Sequence, residues 1–227
     1  MEALLEKLQS AQARLLSAVT AGRGRERETL RELADTLQEL ELVAQAAAPA
    51  GEGAAPPSAL TPTFYASFLL VLLLAEDLNG ARFLWKRIPA TLKSESETLC
   101  KTWGIGKALW QRDFAAAYNA MDQPWPQELQ ALVELLRAST RESTAELLSA
   151  AYSTISTHDA AQALGFAQPN DLLEYCASLQ WEVDTAEQFV RPKARSPARR
   201  DTTGLEQLET LSKYVLHLEQ STVVKLP

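Results

Sequence analysis

The chain opens with a helical pattern of apolar residues. Between residues 1 and 47, leucines and one valine recur every three or four positions among Arg and Glu, and Gly22–Gly24 interrupts the series. Apolar residues at this spacing lie along one face of a helix. We therefore expect two amphipathic helices in this N-terminal segment. The apolar positions are Leu4, Leu8, Leu15, Val19, Leu30, Leu33, Leu37 and Leu40.

A change of composition separates this segment from the rest of the chain. Residues 48–62 contain five alanines, four prolines and two glycines. Such a segment does not sustain a helix, and we interpret it as a linker. Thr61 followed by Pro62 is a typical helix start, with an N-cap residue and then proline at the first helical position.

Helical patterns dominate residues 63–153. The segments 79–83 and 114–118 occupy similar places about 35 residues apart, and each opens the second helix of a hairpin with small residues. A period of this length is typical of stacked helix pairs, as in tetratricopeptide-like repeats. We expect helices over residues 63–76, 81–88, 95–110, 113–121, 127–138 and 140–152.

A different pattern follows in residues 154–191. Ser156 and Asp159 have the spacing of a capping box, a short helix ends at Gly165, and a second helix starts at Pro169. Apolar and polar residues then alternate on both sides of a polar turn, which indicates a β-hairpin. Two helices followed by a hairpin is the order of a winged-helix domain.

The C-terminal part consists of a basic linker, residues 192–203, and a last helix, residues 204–220. Apolar side chains recur at three- and four-residue intervals along this helix, which is the seam of a coiled coil or helical bundle. We interpret the seam as a surface for other polypeptides; the alternative is a helix folded back onto its own domain. The seam residues are Leu205, Leu208, Leu211, Val215 and Leu218.

Composition and charge restrict the classes of function. The chain has 227 residues and a formal net charge of −7, which disfavours general binding to nucleic acid or to anionic lipid. Its two cysteines, Cys100 and Cys176, offer no disulfide framework, as expected in a reducing intracellular compartment. The most apolar run, residues 68–75, is too short to span a membrane and predicts a helix buried on all sides. We expect a soluble protein of the cell interior.

The charge of the predicted winged helix argues against DNA recognition. Between Arg141 and Arg191 there is no Lys or Arg, whereas the same interval holds eight acidic residues. Its second helix offers Asp171 and Glu174 where a DNA reader has cations, and duplex binding needs several of them. We interpret the winged helix as a protein-docking surface, with a DNA-binding regulator as the alternative. The interface candidates are Trp181, Val183 and Phe189.

The sequence contains no recognisable catalytic constellation. His158 and His217 are the only histidines, so no zinc-ligand set is available. The segment Gly104–Lys107 lacks the first glycine and the Ser or Thr of a phosphate-binding loop, and its glycines more simply allow close helix packing. We predict no catalytic residue, metal or cofactor. An enzyme with an unrecognised site is the third possible class of function, after a protein-docking subunit and a DNA-binding regulator.

Several segments carry a family resemblance. A helical array followed by a winged helix and a terminal helix resembles the PCI domain, found in the proteasome lid, the signalosome and translation initiation factor three. Over residues 62–220 the amino-acid sequence resembles the subunit-eight family of the constitutive photomorphogenesis 9 signalosome, in its plant or algal form. The segments are 79–89, 103–106 with 109–110, 151–155, Gly165, 181–184 and 214–219, and the motif residues in the first are Ala81, Arg82, Trp85, Lys86, Arg87 and Pro89.

The resemblance implies a non-catalytic scaffold subunit of a hetero-oligomer that removes a ubiquitin-like modifier from cullins. It implies that the isopeptidase site belongs to another, zinc-dependent subunit, and that the protein is found in cytoplasm and nucleus. Its expected partners are other PCI subunits, through winged-helix edges, and their C-terminal helices, through a bundle. Neither nucleic acid nor membrane is an expected partner. Small PCI subunits of the proteasome lid or of translation initiation factor three are the alternative within the family.

Overall fold

We analysed a computed structural model of the chain, which describes residues 2–18, 27–47, 60–184, 188–193 and 203–223. Residues 48–59 and 194–202, the greater part of both predicted linkers, lie outside the described residues, as does the predicted break at 22–24. The helices are α1 Glu2–Ala18, α2 Arg27–Ala47, α3 Pro62–Leu74, α4 Leu78–Arg87, α5 Ala90–Glu95, α6 Glu97–Gln111, α7 Phe114–Met121, α8 Gln127–Ala151, α9 Thr157–Leu164, α10 Pro169–Ser178 and α11 Thr203–Val223; the strands are β1 Ile155–Ser156, β2 Glu182–Asp184 and β3 Phe189–Arg191.

Helix α3 is the centre of the larger hydrophobic core. Thr61 caps it by accepting a hydrogen bond from the Phe64 amide at 3.2 Å, and Pro62 is its first residue, as the sequence predicts. Every residue from Phe64 to Leu74 is buried, because α2, α4, α6 and α8 surround the helix. The prediction of a helix buried on all sides is confirmed. Leu60 is also buried, so the end of the predicted linker belongs to the folded part.

The helices α3–α4 and α6–α7 form two hairpins of the same construction. The carboxylate of Asp77 accepts a hydrogen bond from the Gly80 amide at 2.8 Å, and that of Asp113 accepts one from the Ala116 amide at 3.0 Å. These two N-cap residues lie 36 positions apart, which confirms a repeated helix pair.

The turns of the two hairpins also share their backbone conformation. Glu76 and Arg112, which precede the N-caps, have positive φ angles of 60° and 58°. Capping places Ala81 and Ala117, both fully buried, at equivalent positions. The alignment of segment 79–83 with segment 114–118 pairs Phe83 with Tyr118, an offset of 35 residues. In the structure, equivalent positions of the two hairpins are 36 residues apart, so the predicted alignment is wrong by one residue.

Helix α8 differs from the prediction of two helices, 127–138 and 140–152. It is continuous because its buried stripe extends from Leu129 and Leu136 to Ala145 and Leu148, and no Gly or Pro interrupts the pattern. The first half of α8 belongs to the larger core and its second half to the smaller one. One long helix thus connects the two cores.

Two further boundaries differ from the predictions. Helix α5 was not among the predicted helices; it follows Pro89 directly and buries Leu92. Helix α4 begins at Leu78, three residues before the predicted start, because Asp77 serves as its N-cap.

The smaller core belongs to a winged-helix unit. The Ser156 hydroxyl accepts a hydrogen bond from the Asp159 amide at 3.1 Å, and Gly165 ends α9 with a positive φ of 67°, as the sequence predicts. The strands form an antiparallel sheet in the order β1-β3-β2, with Val190 of the middle strand opposite Ile155 and Val183. Strand β1 was not predicted. The mainly helical fold with helix-pair repeats, a winged helix and a C-terminal helix is confirmed.

The N-terminal helices pack onto this framework. Four leucines of the predicted apolar face of α2 are buried against the larger core, and α2 contacts α3 directly. Leu8 of α1 is half-buried against the same core. The side chains of Leu4, Leu15 and Val19 lie outside the described residues. The buried leucines of α2 are Leu30, Leu33, Leu37 and Leu40.

Candidate docking surfaces

The apolar side chains of α11 that the structure describes are exposed. Leu208, Leu211, Val215 and Leu218 are 63%, 59%, 54% and 64% exposed, so this face of the described helix is not packed onto its own domain. Exposed apolar residues in a continuous stripe are typical of a helix that contacts another polypeptide. Leu205, the fifth predicted residue, lies in α11, but its side chain is outside the described residues.

The apolar face of α11 is wider than a two-stranded seam. Tyr214 and Leu216 are 64% and 55% exposed and flank the stripe on opposite sides. At 3.6 residues per turn, the apolar side chains cover about half of the helix circumference. A face of this width is broader than the narrow seam of a two-stranded coiled coil.

Only one of the three predicted interface residues of the winged helix is exposed. Trp181 is only 7% exposed and packs in the smaller core with Leu172 and Cys176, so it stabilises the unit itself instead of presenting a surface. Val183 is half-buried, whereas Phe189 on the middle strand is 44% exposed. Phe189 is therefore the main apolar surface residue among the three candidates.

Strand β2 lies at an edge of the described sheet. In the strand order β1-β3-β2, β3 is the only described strand that pairs with β2. A strand at the edge of a sheet can add a strand of another chain to that sheet.

The exposed side of α10 is acidic. Asp171 and Glu174 are exposed on this helix, beside the exposed Asn170 and Ser178. These are the positions that a winged helix uses to approach a DNA groove, and carboxylates there repel phosphates. The arrangement favours protein contact over DNA contact.

The motif residues on α4 divide between the core and the surface. Ala81 is fully buried, whereas Arg82 and Lys86 are exposed one helical turn apart. Trp85 stacks on Trp103 of α6, with ring centroids 5.2 Å apart and planes 5° from parallel. Pro89, the last motif residue, is exposed and precedes α5.

Cations lie over three aromatic rings of this region. The Arg82 guanidinium is 5.4 Å from the Trp110 centroid, and the Lys86 ammonium is 6.0 Å from that of Phe83. A third cation, the Lys93 ammonium of α5, is 5.0 Å from the centroid of Trp85. We call the three pairs together the aromatic–cation surface. Arg82, Trp85 and Lys86 are motif residues of the family resemblance, and Phe83 and Trp110 lie in segments that carry it, but the sequence assigned none of the five to a common surface. Lys93 was not singled out, and only the packing of α4, α5 and α6 brings these residues together.

Arg87 has a different role from its motif neighbours. Its Nη2 donates a hydrogen bond to Oε2 of Glu41 on α2 at 2.6 Å, and the Glu41 side chain is 3% exposed. Gln45 Nε2 donates to the other carboxylate oxygen at 3.4 Å. The sequence contained one signal for this contact: Glu41 is a charged residue that lies next to Leu40 on the apolar face of α2, where it needs a partner of opposite charge.

The two cysteines differ in accessibility. Cys100 is exposed, and its Sγ donates a hydrogen bond to the Lys93 carbonyl at 3.2 Å. Cys176 is buried, and burial raises the pKa of its thiol to about 11. A thiol with this pKa stays protonated near neutral pH and is a poor nucleophile.

Ionisable groups at the junction of the two cores stabilise the packing. Arg141 of α8 donates a hydrogen bond from Nε to the Leu164 carbonyl at 2.9 Å and lies 4.2 Å from the Phe166 centroid. Burial raises the pKa of Tyr118, whose ring also faces Arg141. In the described ranges, no cluster of three or more His, Cys, Asp and Glu is arranged to hold a metal ion.

None of the helices in the described ranges has the length and apolar character needed to cross a bilayer.

Comparison with known proteins identifies the family. The sequence profile described as "CSN8/PSMD8/EIF3K family" matches residues 59–201, which extend from the start of α3 through β3. The chain belongs to this family. The matched range includes the motif on α4 and the winged helix, whereas α1, α2 and α11 lie outside it.

Individual relatives of the CSN8/PSMD8/EIF3K family are similar over most of the chain. The protein named COP9 signalosome complex subunit 8 from Arabidopsis thaliana is 36% identical over 156 residues, which cover 68% of this chain and 79% of the relative. The protein of the same name from Danio rerio is 34% identical over 167 residues, or 73% and 87%. The one from Dictyostelium discoideum is 31% identical over 164 residues, or 72% and 83%.

Proposed function

We propose that this chain is a non-catalytic scaffold subunit of a COP9 signalosome. The observation that carries the proposal is the exposed apolar face of α11, because a protein that works alone does not leave such a stripe in water. The relatives named as subunit 8 of the COP9 signalosome complex supply the identity of the assembly.

Two surfaces divide the contacts with other subunits. The stripe of α11 enters a bundle of C-terminal helices from neighbouring subunits. The edge strand β2 and the exposed Phe189 contact the winged helix of another PCI subunit. Burial of Leu208, Leu211, Val215 and Leu218 in the bundle contributes roughly 6–12 kcal/mol before the entropy of association is subtracted.

The complex removes a ubiquitin-like modifier from cullins, and this chain supports the reaction without taking part in its chemistry. The isopeptidase site belongs to another subunit. The thiol of Cys176 is buried and stays protonated near neutral pH, so it is unsuited to nucleophilic attack. We place the assembly in cytoplasm and nucleus, which fluorescence microscopy of the tagged chain tests.

Other branches of the family and another class of function are the alternatives. The family description also includes subunits of the proteasome lid and of translation initiation factor three, and the names of the relatives favour the signalosome over both. For a DNA-binding regulator, the acidic side of α10 is unfavourable. A gel shift with duplex DNA that is lost on removal of residues 142–190 supports the regulator instead.

A pair of variants on α11 tests the proposed function. Leu211→Asp places a carboxylate in the apolar stripe, whereas Thr210→Asp adds the same charge about 100° further around the helix, outside the apolar face. We expect Leu211→Asp, like truncation after Arg200, to retain the circular dichroism of a folded chain and to lose co-purification with other subunits. Thr210→Asp keeps both properties. Equal recovery of the partners by Leu211→Asp and Thr210→Asp contradicts the proposal.

A further inference from the structure

A second surface, formed by residues of α4, α5 and α6, has the properties of a binding site. The aromatic–cation surface combines three cations with three rings on α4, α5 and α6. Phe83 and Trp110 are 58% and 47% exposed, which is unusual for side chains of this size outside an interface.

The charge of this region is opposite to that of the whole chain. Residues 82–112 contain seven Lys and Arg and two Asp and Glu, although the complete chain carries −7. Arg87 is paired with Glu41 and Lys101 with Glu97. No described carboxylate forms an ion pair with Arg82, Lys86 or Lys93.

The aromatic rings hold these cations in place. A cation at 5–6 Å from a ring centroid is attracted by the negative face of the ring, which restricts an otherwise flexible side chain. A partner that binds restricted cations loses less side-chain entropy than one that binds free lysines and arginines. The surface is therefore preorganised for negative charge.

We propose that the aromatic–cation surface binds an acidic segment of another polypeptide. Carboxylates of the segment pair with Arg82, Lys86 and Lys93, and its apolar side chains contact the exposed edges of Phe83 and Trp110. The binding of this segment is separate from the docking of α11, so the inference stands or falls independently of the proposed function.

The ring contacts favour a polypeptide over a single-stranded nucleic acid. Nucleic-acid bases bind by stacking on free aromatic faces. Here the Trp85 ring is stacked on Trp103 and contacted by Lys93, while cations lie over Phe83 and Trp110. The accessible groups are charges and ring edges, which suit carboxylates and aliphatic side chains better than bases.

Nuclear magnetic resonance of the full chain tests this inference. The probe is a synthetic peptide of alternating Glu and Leu, added at low ionic strength to the 15N-labelled chain. The chain has five tryptophans, each with one indole N–H signal. We expect the signals of Trp85, Trp103 and Trp110 to shift, while those of Trp125 and of the buried Trp181 stay in place.

Matched variants and ligands complete the experiment. The triple variant Arg82→Gln, Lys86→Gln and Lys93→Gln weakens peptide binding about tenfold, as expected for the loss of three exposed ion pairs. The variant Arg14→Gln, Arg31→Gln and Arg191→Gln removes the same charge from exposed positions elsewhere and keeps the affinity. The same peptide with Gln in place of Glu binds weakly, and added salt weakens the Glu peptide.

The inference is overturned if the signals of Trp85, Trp103 and Trp110 do not shift, or if the Gln peptide binds as tightly as the Glu peptide. It is also overturned if both triple variants lose the same affinity. Oligouridine is a further ligand, and tighter binding of oligouridine than of the Glu peptide overturns the inference as well. The indole shifts are measured on the unaltered chain, so they decide the question even where a variant is unstable.

Discussion

Arg87 of α4 and Glu41 of α2 form an ion pair with a donor–acceptor distance of 2.6 Å, and this pair connects two parts of the chain that differ in their family match. Arg87 lies within the matched residues 59–201, and Glu41 lies before them. The Arg87 side chain is 48% exposed, whereas that of Glu41 is 3% exposed. The pair therefore anchors the N-terminal helices to a motif residue of the family.

Removal of Arg87 tests this anchor. Arg87→Met leaves the Glu41 carboxylate buried without its cation, so we expect a loss of about 1–3 kcal/mol in the free energy of unfolding. Urea denaturation followed by circular dichroism measures it. Arg31→Met, an exposed arginine on α2, is the control and stays within about 0.5 kcal/mol of the unaltered chain. A loss in Arg87→Met no greater than that in Arg31→Met shows that the pair does not stabilise the fold.

Gly165 provides a test of the junction between the two cores. Its φ of 67° is unfavourable for a residue with a side chain, and an added Cβ overlaps the ring of Tyr118. We expect Gly165→Ala to lower the free energy of unfolding by about 2–4 kcal/mol, from backbone strain and from displacement of the ring.

Gly104 is the matched control for Gly165. It lies within α6, and a Cβ added there meets no atom within 4 Å. Gly104→Ala should therefore raise the free energy of unfolding by about 0.5–1 kcal/mol, through improved helix propensity. Thermal denaturation of both variants decides between the two signs. Equal effects of the same sign contradict the described packing of Tyr118 against Gly165.

Cys176 gives the smaller core a dependence on pH. Burial raises the pKa of its thiol from 9.0 to about 11, so the native state holds this proton more tightly than the unfolded chain does. The resulting stability is fully present below about pH 9 and is lost as the pH rises towards 11. We expect the free energy of unfolding of Cys176→Ala to decrease less between pH 8 and 11 than that of the unaltered chain. Parallel decreases in both proteins contradict the assignment.

Thiol labelling checks the same burial at constant pH. In Cys100→Ser the remaining thiol is buried, and in Cys176→Ala the remaining thiol is exposed. A thiol reagent should modify Cys100 at the rate of a free thiol and Cys176 only as fast as the winged helix opens. Similar rates for the two variants are incompatible with the described core.

Local signals in the sequence were sufficient for much of the fold. Thr61 with Pro62 and Ser156 with Asp159 are helix starts that depend only on neighbouring residues, and both are found where predicted. The boundaries that failed depend on packing. Residues 139–140 do not end α8, since its buried stripe continues across them, and β1 is too short to have a pattern of its own.

The surfaces were harder to predict than the elements. An apolar residue in a hairpin is equally compatible with core and interface, which is why Trp181 was predicted at an interface although it packs beside Cys176. The cation–ring pairs involve α4, α5 and α6 together, so no single segment contains the signal. The apolar face of α11, by contrast, could be predicted from the spacing of its own leucines, because that face involves no other element, and Leu211 on it is exposed.

The composition of the natural assembly tests the central claim most directly. The full chain, tagged and purified from its own cells at physiological salt, is analysed by native mass spectrometry. We predict a complex in which one copy of this 25.0 kDa chain is present with several different polypeptides in equal amounts. A single species at the mass of the lone chain, with residues 203–223 protected from hydrogen exchange by their own domain, contradicts the account.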